Sequence, residues 1–314
     1  MNDRSNQSFS GIDRRDLIAA GLGAVTLVAG VSGALAQAPQ TQAQPAPAAP
    51  TAIAAPGKVA VERRGAVLLI GIDRQEAQNR VDAPIQIGLG KAYYQLDHDD
   101  GLRAAVLYGV GLDFCLGSDL AAFAAAQAAG VLPPKDPDFI NPVGIKPPFR
   151  AKPVVVAVQG GTKYLGHELF LAADIRVAAS DSVFSQGEVA RGIFAGGGGT
   201  VRFPRGAGWA NAMRYMLTGD EWGADEARRL GLVQDITPPG KQLDRAIELA
   251  TKIAAAAPLG VRATLASSHQ ALAAEEATAL AALQVDFGRI LQSEDAKEFR
   301  RSLQEKRSPV YRNL

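Results

Sequence analysis

The chain has 314 residues, 47% of them hydrophobic and 21% charged, enough to bury the core of one large domain or two smaller ones. A net charge of +1 gives no electrostatic pull toward nucleic acid or anionic membranes. The single cysteine, Cys115, excludes an intramolecular disulfide, and three histidines limit any His-based metal site.

Residues 1–36 have the three parts of an export signal. Arg14 and Arg15 supply the charged start, Leu17 to Gly33 is uncharged and mildly apolar, and Ala34-Leu35-Ala36 is a small-x-small cleavage site ahead of Gln37. Paired arginines before a weakly hydrophobic run resemble a twin-arginine signal. Asp13 and Leu17 stand where that pattern favours Ser or Thr and Phe. The run reaches the ~20 residues that span a membrane, so an uncleaved anchor is the alternative; its Gly and Ala content argues for a signal. The expected location is the periplasm, or the cytoplasm if the signal is not used, with no stable membrane insertion after cleavage. Residues 37–57, "QAPQTQAQPAPAAPTAIAAPG", bury too little apolar surface to order themselves and read as a tether.

From Lys58 the pattern is that of an α/β fold. "GAVLLIGID" (65–73), "AAVLYGVG" (104–111) and "PVVVAVQGG" (153–161) are short apolar runs that predict strands. A helical stretch ending in a charged turn, "PIQIGLGKAYYQLDHDDG", lies between the first two. Strand–helix–strand alternation argues α/β. The proline-rich connection 131–149 is too broken for a helix, and long irregular connections often cover a binding site. After Gly206 the pattern turns helical, and from Leu259 to Gln304 it is helical throughout.

Glu168 stands out. It opens an apolar helix, "GHELFLAAD", on one face with Leu171, Ala172 and Ile175. Burying an unpaired carboxylate is costly, so the group is paired, protonated, useful, or simply a first-turn acid on the helix dipole. "GHELFL" is not a zinc motif, because Leu171 occupies the second histidine's place. "GLGKAYY" and "RGAGWAN" lack dinucleotide spacing, and no serine sits in a nucleophile elbow. His98 lies in a charged turn, His269 in a polar helix, and His167 points about 100° away from Glu168. A second acid, Glu188 in "FSQGEVARG", follows 20 residues later, across a helix and the strand-like "SVFSQG". That return path can bring both carboxylates to one pocket, where neighbouring acids split into one base and one acid. Otherwise they are unrelated surface acids. Two loops, "FCLGSD" (114–119) and "KYLGHE" (163–168), offer backbone N–H groups suited to a developing oxyanion.

These segments resemble the crotonase superfamily, the enoyl-CoA hydratases and isomerases, over roughly Val59 to Leu314. "FCLGSDL" is similar to F-x-x-G-[A/S]-D-[L/I], "KPVVVAVQG" to K-P-V-I-A-A-V-x-G, and "FSQGEVARGIFAGGGGT" to F-x-x-P-E-x-x-x-G with its following glycine run. "LTGDEWGADEARRLGLVQDI" matches L-T-G-x-x-x-x-A-x-x-A-x-x-x-G-L-V, and "FRRSLQEKRSPVYRNL" resembles the C-terminal helix. The resemblance implies a crotonase-like ββα spiral core over 58–258 and a helical trimerisation region over 259–314, in a trimer or hexamer. It assigns catalysis to Glu168 and Glu188, and the oxyanion N–H groups to Ser118 and Leu165. It makes Phe114, Gly117, Asp119, Leu120, Gly166 and Gly196 substrate-binding. It implies an acyl-CoA thioester as substrate, with no metal and no separate cofactor.

Three departures stand out. Tyr164-Leu165-Gly166 replaces a triple-glycine turn, Gly187 replaces a proline, and "DRQEAQNRV" keeps only Asn79 of a CoA-contacting segment. The expected activity is water addition across an enoyl thioester. The export signal keeps open a hydrolase or lyase acting on a non-CoA carbonyl compound, and a non-catalytic binding protein of the same fold.

Overall fold

The computed structural model describes residues 55–132, 134 and 136–311. The expected signal, and the tether up to residue 54, lie outside the described residues. The chain is already held at its first described positions: Ala55 O accepts from Arg74 Nε at 2.8 Å, and Gly57 N donates to Asp82 at 2.8 Å.

A hairpin opens the fold, β1 (Lys58–Arg64) and β2 (Val67–Asp73), turning at Gly65 with φ +61. There follow α1 (Ala83–His98), β3 (Ala104–Gly109), α2 (Leu120–Ala128), β4 (Val154–Val158), β5 (Gly161–Lys163) and α3 (Leu165–Ala172). Next come β6 (Ile175–Ala179), β7 (Val183–Ser185), α4 (Gly199–Ala207), α5 (Trp209–Thr218), β8 (Trp222–Gly223), α6 (Ala224–Arg229) and β9 (Asp235–Thr237). Helices α7 (Gln242–Ala255), α8 (Pro258–Leu291) and α9 (Glu294–Glu305) complete it. One sheet has the order β1-β2-β3-β4-β6-β9, parallel except for β1; a second, β5-β7-β8, pairs β5 and β7 in parallel.

The central strands read as unbroken Val, Leu, Ile and Ala because both faces are covered. Val67, Leu69, Val106, Val155 and Val177 face α7, whose Ala246, Ala250 and Ala254 sit four apart. Alternate residues, Leu68, Ile70, Leu107 and Val156, join α1 and α3 in the larger core.

Two successive turns of the chain share one plan. Strand β4 ends, Gly160 (φ +51) redirects the backbone, β5 enters the second sheet, and α3 follows. A Cβ at Gly160 would meet Leu112 O at 2.3 Å, so only glycine fits that corner. Then β6 ends, β7 pairs beside β5, and a 3₁₀ turn, Glu188–Arg191, follows. Lys163 lies opposite Ser185 in the ladder. One spiral turn therefore delivers Glu168 and Glu188 to the same edge.

The three expected strands and the helix between them are present, and residues 131–149 carry no helix or strand among those described. Two expectations differ. Helix α3 stops at Ala172, and Ile175 opens β6 instead of extending the Glu168 face. Asp174 turns the chain there, accepting from Val154 N at 2.8 Å and from Arg150 at 2.7 Å. The C-terminal helix breaks at Gln292–Ser293, where the Ser293 hydroxyl caps α9 through Ala296 N at 3.1 Å. The C-terminal region also makes contacts within its own chain. Phe287 meets the Phe194 ring at 5.6 Å, and Tyr311 donates to Ala190 O at 2.8 Å.

Candidate active site

Glu168 occupies the first turn of α3 and is only 4% exposed. Its Oε1 accepts two backbone N–H groups, from Gly197 at 2.6 Å and Gly199 at 3.0 Å. Gly197 comes close because it lacks a side chain: a Cβ there would lie 2.6 Å from Oε2. Glu188, 6% exposed, begins the 3₁₀ turn after β7. Its Oε1 accepts from Gln186 Nε2 at 2.8 Å, while Oε2 is buried with no partner among the described residues. Burial of both groups decides against unrelated surface acids.

Burial lifts both carboxyls well above the ordinary carboxylate range, and for Glu168 the neighbouring Glu188 charge adds to it. For Glu168 the Gly197 and Gly199 N–H groups and the Arg202 charge work the other way, favouring its ionised form. For Glu188 the opposing influences are hydrogen bonds and Arg191. Two close acids in a dry site cannot both ionise cheaply. Both carboxyls therefore hold their protons more tightly than free acids, and the Gly197 and Gly199 N–H groups favour the ionised form of Glu168.

Backbone donors lie beside this pair. Ser118 bridges Val81 in a parallel pairing: Val81 N donates to Gly117 O at 2.8 Å and Asp119 N donates to Val81 O at 2.9 Å. That pattern turns the Ser118 N–H to the opposite side, away from Val81. Leu165 is the first residue of α3, so its N–H has no intrahelical acceptor. The two turns touch, since a Cβ at Gly117 (φ +95) would meet Tyr164 Cβ at 2.9 Å, and one at Gly166 would meet Cys115 O at 2.2 Å. Tyr164 adopts φ +55 and ψ −123 at this turn, a positive-φ conformation uncommon for a tyrosine. Its ring carries the Arg191 guanidinium 3.3 Å above the centroid, a cation–π contact.

The remaining sequence-predicted site residues divide. Gly117 and Gly166 shape the donor turns. Gly196 backs the loop at Gly197, with Phe287 where its Cβ would be. Leu120 is 42% exposed at the start of α2. Phe114 is fully buried in the core. Asp119 caps α2 through Ala122 N at 3.0 Å and pairs with Arg74 at 3.0 Å. Asn79 clamps two loops, donating to Val110 O at 2.9 Å and Asp113 O at 2.8 Å. Sequence reasoning missed Gln186 and His167. Gln186 carried a signal, a polar residue two before Glu188 and just past a buried strand; His167 was read only as pointing away from Glu168. Among the described residues no group of three or more His, Cys, Asp or Glu could hold a metal, and no helix is long and apolar enough to cross a membrane.

Residues 62–313 match the family model described as enoyl-CoA hydratase/isomerase. The chain is 33% identical over 262 residues to the enoyl-CoA hydratase EchA19 of Mycobacterium tuberculosis, covering 81% of this chain and 96% of the relative. It is 30% identical over 255 residues to the short-chain-enoyl-CoA hydratase of Clostridium acetobutylicum, covering 79% and 95%. The crystal structure of carnitinyl-CoA hydratase from Mycobacterium avium superposes with a TM-score of 0.73 at 34% identity, covering 82% of this chain and 98% of that one. With its spiral of paired short strands, its two buried glutamates and this breadth of similarity, the chain belongs to the enoyl-CoA hydratase/isomerase family.

Proposed function

We propose that the protein adds water across the C=C bond of an enoyl-CoA thioester, with Glu168 as base and Glu188 as acid. The observation that carries this reading is two buried carboxyls beside the outward-turned Ser118 and Leu165 backbone N–H groups. Glu168 takes a proton from water, and the water oxygen bonds to the β-carbon. The π electrons move toward the thioester oxygen, and the Ser118 and Leu165 N–H groups hold the resulting enolate. Glu188 delivers its proton to the α-carbon, and the carbonyl re-forms. Losing one such N–H donor costs ~10²–10³ in turnover in comparable sites. The relatives named as hydratases of enoyl-CoA support the substrate class.

The arginine pair of the N-terminal segment supports export to the periplasm by a twin-arginine route, and the family resemblance supports a trimer or hexamer. Export also favours the second reading, a non-CoA carbonyl substrate. Calorimetric titration of the chain from Gln37 with CoA or acetyl-CoA tests the first reading. It is run beside a crotonyl-CoA assay of the Glu168→Gln/Glu188→Gln double variant. Micromolar binding, with hydration lost in the variant, is the expected result. No binding and no turnover would move the substrate outside CoA chemistry.

A further inference from the structure

Behind Glu188 runs a second line of hydrogen bonds. His167 is fully buried, and its Nδ1 meets Gln186 Oε1. Gln186 Nε2 meets both Glu188 Oε1 at 2.8 Å and Tyr164 O at 3.3 Å. A peptide carbonyl only accepts, so Tyr164 O and the Glu188 oxygen take the two amide hydrogens of Gln186. The amide oxygen then faces His167, which must donate. His167 is therefore the neutral Nδ1–H tautomer, and its Nε2 lone pair is left bare, with no partner among the described residues. The ring's surroundings suit that state: Phe170, Phe203 and Trp222 lie at 5.5, 5.2 and 5.2 Å between centroids. Burial drops the imidazole pKa to about 3, so it stays neutral at working pH.

We propose that His167 is a positioning residue for the acid: its Nδ1–H, in closer contact than the 3.3 Å bond to Tyr164 O, is the main hold on which way the Gln186 amide faces, and so on which oxygen of Glu188 carries the proton. This rests on the hydratase reading of the site. With an N–H pinned on Oε1, the proton of Glu188 rides on Oε2, the unpaired oxygen. A flipped amide would present its carbonyl to Glu188, accept the O–H and sequester the proton. The charged groups acting on the pair are Arg191 on the same turn as Glu188, Glu168 from α3, and Arg202 of α4, which acts on Glu168. Arg176 of β6 acts on His167. None of these charges bonds to the amide, which is held by His167 and, at 3.3 Å, by Tyr164 O.

The test compares His167→Phe with His167→Asn, whose side-chain N–H₂ restores a donor near the Nδ1 position. In the Phe variant kcat falls about tenfold or more with KM within about twofold. The high-pH limb moves up by about one unit, because the proton on Glu188 gains an acceptor while its carboxylate loses a donor. The Asn variant recovers both. In a Gln186→Leu background, His167→Phe moves the limb no further. Imidazole nitrogen NMR of the wild-type chain reports the Nδ1–H tautomer without any substrate. It separates failure of this inference from failure of the hydratase reading. A wild-type limb in folded His167→Phe, or an Nε2–H tautomer, overturns the proposal.

Discussion

Replacing Gly197 by alanine perturbs the site while sparing the fold. The new Cβ would lie 2.6 Å from Glu168 Oε2, 2.8 Å from its Cδ and 3.1 Å from Oε1, where ordinary contact begins at 3.4 Å. Gly197 does not occupy the left-handed region, so alanine suits its backbone. The carboxylate must give way by about 0.8 Å, straining the 2.6 Å bond from Gly197 N. A displacement near 1 Å costs about 10²-fold in turnover. The assay is steady-state hydration of crotonyl-CoA, with a thermal melt on the same preparation. Gly223→Ala, whose Cβ meets nothing within 4 Å, is the control. The expected outcome is a kcat loss of about 10²-fold for Gly197→Ala, a KM within a few-fold, and wild-type kinetics for the control. Wild-type kcat in folded Gly197→Ala would refute the placement of the chemistry at Glu168.

Four further outcomes follow from the same geometry. Glu168→Gln and Glu188→Gln should each lower kcat by about 10²–10⁴-fold, the range for lost acid–base groups, with circular dichroism unchanged. Both carboxyls bind protons more tightly folded than unfolded, where the ordinary value is 4.5. Their stability contribution is full below pH 4.5 and is lost as pH rises through the raised folded values; Glu188→Gln should therefore raise the melting temperature more at pH 8 than at pH 5. His167 has the opposite sign: folded it resists protonation to about pH 3, against an ordinary 6.5, so its contribution is lost as pH falls across that window. Melts of His167→Phe should accordingly show a shallower acid decline. Arg74 is 2% exposed between Asp82 and Asp119, and Arg74→Met leaves charges uncompensated; denaturant titration should show a loss of about 3–5 kcal/mol.

The sequence was legible where one physical demand dominates. Strands β2, β3 and β4 announced themselves because double burial requires unbroken apolar runs. Glu168 was conspicuous because a carboxylate on an apolar helix is costly. Strand β6 was harder to see: "DIRVAAS" continues the apolar stretch of α3, and only Asp174, through its bonds to Val154 and Arg150, marks the break. The assignment of Asp119 to substrate came from its place in a motif; its carboxylate is engaged with Arg74 and the α2 N-terminus. His167 was invisible as a functional group because its partner, Gln186, is 19 residues away and arrives only through the pairing of β5 with β7. Tertiary hydrogen bonds of this kind leave no periodic trace in a chain.

The central claim, water addition across a conjugated C=C by the Glu168–Glu188 pair, is tested most directly by isotopes. The chain is incubated with crotonyl-CoA in heavy-oxygen, deuterated water, and the product is read by mass spectrometry and NMR. The account predicts an intact thioester with heavy oxygen on the β-carbon and one deuterium on the α-carbon. Release of free CoA, with the label in a carboxylate, would contradict it.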